Sequence, residues 1–307
     1  MSLQALQALA ANLCELDWVQ GPGGNLSVKV GDTLHVKASG VRLRDMASPL
    51  AVCAVPLQVA EAALAGDAAA GIDLFARTPR PSLETWLHAL PGRYVVHTHP
   101  VGVLALACTA AALPAGTVDV APALPGRELA LVMQQAPAAV WVLRNHGLCV
   151  RAETAAKAEA LTRTIDADCR RRAGIAPGAG PTPPTVTARA LGGAVIGQWR
   201  APRLPPTYLF PDAAVLNRLD LVADLTDARI VQAFAEDPRP RLLVDPDGHY
   251  AAIARTSQQL RDMTEVFTVH AWLHSLLGSD AVPLADDLVA HILDMPAERY
   301  RQLRESP

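Results

Sequence analysis

Residues 94–100 have the sequence YVVHTHP, in which the apolar pattern of a buried β-strand ends on two histidines, His97 and His99. Side chains at positions i and i+2 of a strand point to the same face, so both imidazole rings must project from one side of a sheet. Two adjacent rings indicate a metal ion or a shared polar pocket, although backbone groups can also satisfy an isolated pair. Further ligands elsewhere in the chain must decide, because a short His-x-His motif is weak evidence by itself.

The composition indicates a folded chain of one large domain or two smaller ones. Half of the 307 residues are hydrophobic, which is enough for a sizeable core. The net charge of −3 gives no electrostatic case for binding nucleic acid or an anionic membrane. No segment approaches the roughly 20 apolar residues of a transmembrane helix, and the N-terminus lacks the basic region of a signal peptide. The five cysteines are scattered without CxxC spacing, so we expect a reduced, cytoplasmic protein.

Short strands alternate with helices along the first part of the chain. NLSVKV and TLHVKAS form a predicted hairpin around Gly31, and residues 138–144 and 148–152 are predicted strands joined through NHG. A long helix follows over residues 154–173. Because several strands are linked by hairpins, we expect an α/β fold with a mixed sheet. No internal repeat is visible.

A Pro/Gly-rich segment at residues 174–186 marks a linker or an exposed loop. We assign residues 1–204 to a metal-binding domain that includes this segment. Residues 205–307 form a smaller accessory α/β region, with a helical stretch near 212–235 and a hairpin in RLLVDPDGHYAAIA. We expect this region to pack on the core.

A third histidine, His146, lies in NHG at the end of an apolar strand. Three neutral imidazoles leave a divalent cation its full charge and one open position, as in catalytic zinc sites. Glu84 belongs to PSLE, which begins a short predicted helix with Ser82 as N-cap. A carboxylate in the first helical turn is stabilised in its ionised form and can accept a proton that a metal has acidified. His88, four residues later on the same helical face, is interpreted as structural or as a support for the site.

Two glycine-containing turns, GGN and ASG, are candidates for binding an anion. Small residues let backbone N–H groups approach an oxyanion, and Asn25 and Ser39 add side-chain donors. The alternative is that these are ordinary turn residues. A dinucleotide-binding fingerprint is a poorer interpretation, because GPGGN lacks the G-x-G-x-x-G spacing.

In chain order, the motifs G-N-x-S, S-G, P-S-x-E, H-x-H and N-H-G resemble the class II aldolase/adducin family, which includes fuculose- and rhamnulose-phosphate aldolases. The resemblance covers about residues 1–175. It implies that His97, His99 and His146 bind a divalent metal and that Glu84 is the catalytic acid/base. Zn²⁺ is the first choice of metal, with Mn²⁺, Co²⁺ and Ni²⁺ as alternatives.

The resemblance also implies a fold and a substrate site. The fold would be an α/β/α sandwich around a mixed, largely antiparallel sheet, with a C-terminal mostly helical extension. The protein would be a cytoplasmic homotetramer or other homo-oligomer with active sites near subunit interfaces. The residues that would cradle a substrate phosphate are Gly24, Asn25, Ser39, Gly40 and Ser82.

Two departures from the family pattern concern the substrate. Leu83 stands where the phosphate-binding aldolases usually have a second serine, and a lost hydrogen bond to a charged group costs about 1.5–3 kcal/mol. The aldolases also use a tyrosine from a neighbouring subunit as an acid, and no tyrosine lies in the matching stretch. The four tyrosines of this chain are Tyr94, Tyr208, Tyr250 and Tyr300.

The leading hypothesis is a metal-dependent lyase that cleaves or forms a C–C bond in a small sugar or sugar phosphate through a metal-stabilised enediolate. Relatives with the same histidines act as epimerases, dehydratases or decarboxylases, and these activities stay open. A Schiff-base aldolase would need a lysine in a dry pocket, for which Lys37 is the one plausible candidate. The remaining alternative is a non-catalytic binding or scaffold protein like the head domain of adducin. Adducin-type heads lack the three histidines.

Overall fold

The structure, a computed structural model, describes residues 2–296. The chain divides into two compact units, Met1–Ala179 and Gly180–Pro307. The division falls inside the Pro/Gly-rich segment and before the expected boundary at 204/205, because residues 187–200 form two strands of the second sheet. Of the C-terminal region, residues 297–307 and therefore Tyr300 lie outside the described residues.

The N-terminal unit is built on a seven-stranded sheet. Its strands are β1 (Asn25–Val30), β2 (Thr33–Lys37), β3 (Val52–Pro56), β4 (Tyr94–Thr98), β5 (Val118–Val120), β6 (Val140–Leu143) and β7 (Gly147–Ala152). The spatial order is β3-β2-β1-β4-β7-β6-β5, and every neighbouring pair is antiparallel except β5 and β6. The sheet is therefore mixed and largely antiparallel, and the predicted hairpin of β1 and β2 is confirmed.

Helices cover both faces of this sheet. They are α1 (Ser2–Asn12), α2 (Leu57–Ala65), α3 (Ala68–Ala76), α4 (Thr85–Ala89), α5 (Val101–Ala107), α6 (Arg127–Gln135) and α7 (Ala155–Arg172). One core cluster joins α1, α5 and α7 to alternate strand residues, and a second joins α2, α3, α4 and α6 to the other residues of the same strands. The expected α/β/α sandwich is thus confirmed.

The C-terminal unit contains a five-stranded sheet as well as helices. Its elements are β8 (Thr187–Leu191), β9 (Ala194–Arg200), α8 (Pro211–Leu216), β10 (Leu219–Leu221), α9 (Asp227–Glu236), β11 (Arg241–Val244), β12 (His249–Ala254), α10 (Ser257–Leu277) and α11 (Asp286–Asp294). The strand order is β10-β11-β12-β9-β8, with only β10 and β11 parallel. The helical extension is present in α10 and α11, whereas β10 interrupts the helical stretch predicted at 212–235.

Both faces of the second sheet are apolar. One face packs against Ile230 of α9, and the other holds three aromatic rings. Trp199 and Tyr250, directly opposite each other on β9 and β12, stack with ring centroids 5.8 Å apart, and Phe267 of α10 meets them edge-on. Within residues 2–296, no helix is both long and apolar enough to cross a membrane.

Candidate active site

Strand β4 fixes His97 in the middle of the first sheet, where it lies between Asn25 of β1 and Cys149 of β7. The His97 side chain is fully buried, and burial lowers its pKa to about 3, so the ring is neutral. Its Nδ1 lies 2.9 Å from the Leu148 carbonyl oxygen, which can only accept a hydrogen bond. The proton therefore sits on Nδ1, and Nε2 presents its lone pair to the site.

His99 and His146 bring two further rings to the same point. The Nε2 atoms of His97 and His99 are 3.1 Å apart, and the ring centroids of His97 and His146 are 4.9 Å apart. The turn that carries His146 contains Asn145 in the left-handed region, with φ 55°. A Cβ on Gly147 would lie 2.4 Å from the Thr98 carbonyl oxygen, so the close approach of this turn to β4 requires glycine. The structure thus brings together the three predicted metal ligands.

The backbone around His99 is held by a buried ion pair on α7. The Asp166 carboxylate accepts hydrogen bonds from the N–H groups of Gly102 and Val103 at the start of α5. Arg170 bridges Asp166 at 2.7 Å and Asp17 at 2.8 Å. The Asp17 backbone carbonyl in turn accepts the Val101 N–H, so the segment that follows His99 is tied to both α7 and the loop after α1.

Glu84 lies one residue before α4, which begins at Thr85, so the prediction of Ser82 as the N-cap is wrong. The Ser82 hydroxyl accepts the Glu84 N–H at 3.2 Å within the turn that precedes α4. The buried Glu84 carboxylate instead accepts a 2.7 Å hydrogen bond from the Asn25 amide. Its Oε1 lies 3.1 Å from His146 Nε2, and its Oε2 lies 3.5 Å from His97 Nε2.

The electrostatics of Glu84 keep it ionised. Burial by itself raises the pKa of the carboxyl group, but the adjacent His97, His146 and His99 rings together lower this pKa to well below its usual value. A carboxylate that faces three imidazole nitrogens can accept a proton from a bound molecule and return it.

His88 supports α4 from behind the site. Its Nδ1 lies 2.7 Å from the Ser27 hydroxyl, and both side chains are fully buried. Burial lowers the pKa of His88 to about 3, so the ring is neutral. Ser27 and Asn25 lie on the same face of β1. Asn25 holds Glu84 just before α4, and Ser27 holds His88 within it. The G-N-x-S motif contains Ser27, but the sequence does not predict its contact with His88.

The predicted anion-binding residues lie in two connected groups. Gly24, in the left-handed region, is next to Asn25, and a Cβ at Gly24 would lie 3.0 Å from the His97 carbonyl oxygen. Ser39 donates its N–H to the Arg80 carbonyl, and Ala38 pairs with Pro81, so the ASG turn lies beside PSLE.

Lys37 is fully buried between these loops. Its ammonium group donates hydrogen bonds to the carbonyl oxygens of Pro22 at 2.9 Å and Val41 at 2.6 Å. The side chain thus ties the GPGG loop to the turn that follows ASG. An ammonium group engaged in this way is poorly suited to form a Schiff base, which needs a free amine.

Leu83 offers no proton donor, and the tyrosines within residues 2–296 are engaged in other contacts. Leu83 packs beside Gly126, where an added Cβ would meet its side chain at 3.4 Å. The Tyr94 hydroxyl lies 3.5 Å from the Ser2 carbonyl oxygen, at the start of α1. Tyr208 and Tyr250 accept backbone hydrogen bonds within the C-terminal unit.

The donor set fits a divalent cation. The ligating atoms of His97, His99 and His146 lie within 4.8 Å of one another, and all three side chains are buried. The Leu148 carbonyl orients His97 as backbone groups commonly orient metal-binding histidines. Three imidazole nitrogens suit zinc, cobalt, nickel or manganese.

Comparisons with known proteins concern the N-terminal unit. Residues 4–172 match the family described as Class II Aldolase and Adducin N-terminal domain. No curated protein matches the chain.

Two solved structures with some similarity cover about the same part of the chain. The N-terminal class II aldolase domain of a conserved protein from Thermoplasma acidophilum is 26% identical, covering 56% of this chain and 93% of its own, with a TM-score of 0.49. The l-fuculose-1-phosphate aldolase from Thermus thermophilus is 21% identical, covering 58% and 97%, with a TM-score of 0.42. With TM-scores below 0.5, these likenesses add nothing to the family match.

Proposed function

The chain belongs to the class II aldolase and adducin family, and from that premise we propose that it is a metal-dependent lyase. Its substrate is a small hydroxy-carbonyl compound, a sugar or sugar phosphate, in which it cleaves or forms a C–C bond. The observation that supports this proposal is the meeting of three histidine nitrogens and the Glu84 carboxylate in one buried site.

His97, His99 and His146 would hold the metal, for which Zn²⁺ is the first choice and Mn²⁺, Co²⁺ or Ni²⁺ the alternatives. When bound, such a cation acts as a Lewis acid that polarises a substrate carbonyl group and acidifies the neighbouring hydroxyl group. His97 is ready for this task because its proton is held on Nδ1 by the Leu148 carbonyl.

Glu84 would move the proton. Its low pKa keeps the carboxylate ready to accept a proton from the substrate next to the carbonyl group. The Asn25 amide holds Oε2 at 2.7 Å, which fixes the direction in which the carboxylate faces the three rings. Burial excludes bulk water from this proton transfer.

The substrate would be bound by Gly24, Asn25, Ser39, Gly40 and Ser82. Gly24 and Gly40 are in the left-handed region, where backbone N–H groups can line an anion-binding hollow. Leu83 adds an apolar side chain where the phosphate-binding aldolases have a donor. We expect weaker phosphate binding in consequence.

The free cysteines support a reduced, cytoplasmic location. We propose a homotetramer or another homo-oligomer, because the family resemblance implies such an assembly. Epimerase, dehydratase or decarboxylase activity would use the same histidines and Glu84. A non-catalytic, adducin-like role is disfavoured because all four side chains are retained and brought together.

Metal analysis of the purified protein tests this proposal first. We expect about one equivalent of Zn²⁺ or a similar metal in the parent and none in a His97→Ala/His99→Ala variant. His291→Ala, which removes an exposed histidine of α11, is the matched control and should keep its metal. Parent protein that stays metal-free after incubation with Zn²⁺ and Mn²⁺ would contradict the proposal. Screening of hydroxyketones and their phosphates for aldehyde release then identifies the substrate.

A further inference from the structure

The C-terminal unit repeats the element order that carries the histidines. In the N-terminal unit the order is β4, α5, β5, α6, β6, β7, α7, and in the C-terminal unit it is β9, α8, β10, α9, β11, β12, α10. The strand pairing also repeats. β5 and β6 are parallel, as are β10 and β11, whereas β7 is antiparallel to β4 and β6, as β12 is to β9 and β11. In each sheet one more strand pairs antiparallel at the other side: β1 pairs with β4, and β8 pairs with β9.

The repetition extends to the register. Corresponding pairs are separated by equal numbers of residues: Val118 with Trp141 and Asp220 with Leu243 across the parallel strands, and Val140 with Val150 and Leu242 with Ala252 across the hairpin. The helices α7 and α10 both begin after a threonine, Thr154 or Thr256, whose hydroxyl accepts the N–H three residues later. The two caps therefore provide a common origin for counting positions.

Counting back from the caps places Ala251 of β12 where Cys149 lies in β7. Cys149 is paired with His97, and Ala251 is paired with Gln198. Gln198 therefore occupies the place of His97. Two residues later on the same face, Arg200 occupies the place of His99.

The third position is Gly248, which corresponds to His146. Gly248 is in the left-handed region, with φ 79°, and an added Cβ would lie 2.5 Å from the Ala201 carbonyl oxygen. The backbone leaves no room there for a histidine without strain. A guanidinium group, which stays protonated, and a glycine cannot ligate a metal.

We propose that the C-terminal unit is a metal-free copy of the fold that carries the candidate active site, with Gln198, Arg200 and Gly248 in the places of the three histidines. Metal binding and catalysis are then confined to the N-terminal unit. This inference rests on the metal assignment in the proposed function. A pocket of about 420 Å³ in this unit is lined in part by Gln198, Asp245 and His249.

One other group of metal-capable side chains exists within residues 2–296, and it lies on the β11–β12 turn. It consists of Asp245, Asp247 and His249. Asp245 already accepts the N–H groups of Asp247 and His249, and its other oxygen lies 3.0 Å from His249 Nδ1. These side chains therefore close the turn.

The test is to place histidines at two of the three positions and to use the neighbouring His249 as the third imidazole. Gln198→His/Arg200→His would place two imidazoles on one face of β9, and His249 lies directly opposite Arg200 on β12. Directly opposite strand residues are about 4.5–5.5 Å apart at their Cα atoms, which is close enough for ligands of one metal. With Zn²⁺ as the probe, we expect a second equivalent per chain. Adding His249→Ala should return the protein to one equivalent, and Gln198→Asn/Arg200→Gln is the matched control with no gain.

A Gln198→His/Arg200→His variant that has the circular dichroism of the parent but binds one equivalent would overturn the inference. If that variant does not fold, the zinc content of the His97→Ala/His99→Ala protein provides the test. Tight residual Zn²⁺ there would place a metal in the C-terminal unit and overturn the inference, whereas its absence supports it. Parent protein without metal contradicts the proposed function, while a second-site gain would still support the correspondence of positions.

Discussion

Two hairpins in corresponding places of the two units, β6–β7 and β11–β12, have opposite chemical character. The first carries the buried His146 into contact with Glu84. The second carries His249, which is exposed and is paired with Asp245 of the same turn. The strand pairing around both is the same, so the framework does not determine the chemistry. The difference teaches that a site of this kind depends on a few side chains whose burial is compensated by one another.

Burial of these polar side chains affects the stability of the N-terminal unit. Glu84, His97, His99 and His146 are all buried polar groups within hydrogen-bonding or ion-pairing distance of one another. Burying polar groups lowers stability unless partners compensate, and compensation ties each group to its neighbours. Changes in the first hairpin region should therefore have large effects, and changes in the second should have small ones.

The largest effect is expected for Glu84→Gln. Loss of a positioned acid/base typically lowers a rate by about 10²–10⁴-fold. The three histidines stay in place, so we expect the metal content of the parent. The comparison is with Asp245→Asn on the second hairpin, which should keep the parental rate. Turnover of any identified substrate at the parental rate by Glu84→Gln would show that the proton is moved by another group.

Next in size is Asp166→Ala, which removes one partner of the pair with Arg170 and leaves two N–H groups of α5 without their acceptor. A buried donor left without its hydrogen bond costs about 1–3 kcal/mol of unfolding free energy. Urea unfolding followed by circular dichroism measures this loss. Arg229→Ala, which removes the solvent-exposed ion pair with Asp224 in the C-terminal unit, should cause a much smaller loss. Equal losses in the two variants would remove the contrast between the units.

A third prediction concerns how the stability of the C-terminal unit depends on pH. Burial lowers the pKa of His270 to about 3, and His274 Nε2 lies 3.1 Å from its Nε2 while Tyr208 stacks on its ring. The unfolded chain, with an ordinary histidine pKa near 6.5, binds the proton first. This contribution therefore lowers stability as pH falls from about 6.5 towards 3, by up to about 1.4 kcal/mol per pH unit. His270→Gln should reduce the slope of unfolding free energy against pH, and an unchanged slope would show that the ring is protonated without cost.

The smallest effect is expected for His249→Ala. The side chain is half exposed, and its ion pair with Asp245 is of the kind that contributes about 0.5 kcal/mol or less. The first hairpin carries His146 instead, and His146→Ala should lose the metal. Thermal unfolding and metal content of the two variants, measured side by side, give the contrast directly. Loss of metal from His249→Ala would mean that the second hairpin contributes to the metal site.

The meeting of the three histidines could be predicted from the sequence because strand alternation and turn chemistry act locally. His97 and His99 share a face by period two, and NHG needs a tight turn whatever surrounds it. The sequence predicts the start of α4 too early, because a serine hydroxyl that accepts the N–H two residues later can lie in a turn ahead of a helix as well as at its N-cap. The Ser27–His88 bond was missed because it joins residues distant in the chain.

The repeated framework could not be found from the sequence. Between the two units, corresponding strand positions exchange one apolar residue for another, as with Leu148 and Tyr250 or Cys149 and Ala251. Hydrophobic packing tolerates such exchanges while backbone pairing is preserved. The chain divides at 179/180, ahead of the expected boundary at 204/205, and strand β8 has little apolar alternation to mark it as part of the second sheet.

The bond from His97 to the Leu148 carbonyl has a consequence for how the site tolerates mutation. The acceptor belongs to the main chain of a central strand, and no single amino-acid substitution can delete it. Residue 148 can vary in its side chain while the proton on His97 keeps its place. The strand pairing alone therefore orients His97. Substitutions of Glu84 and of the histidines themselves are the ones that would abolish the site.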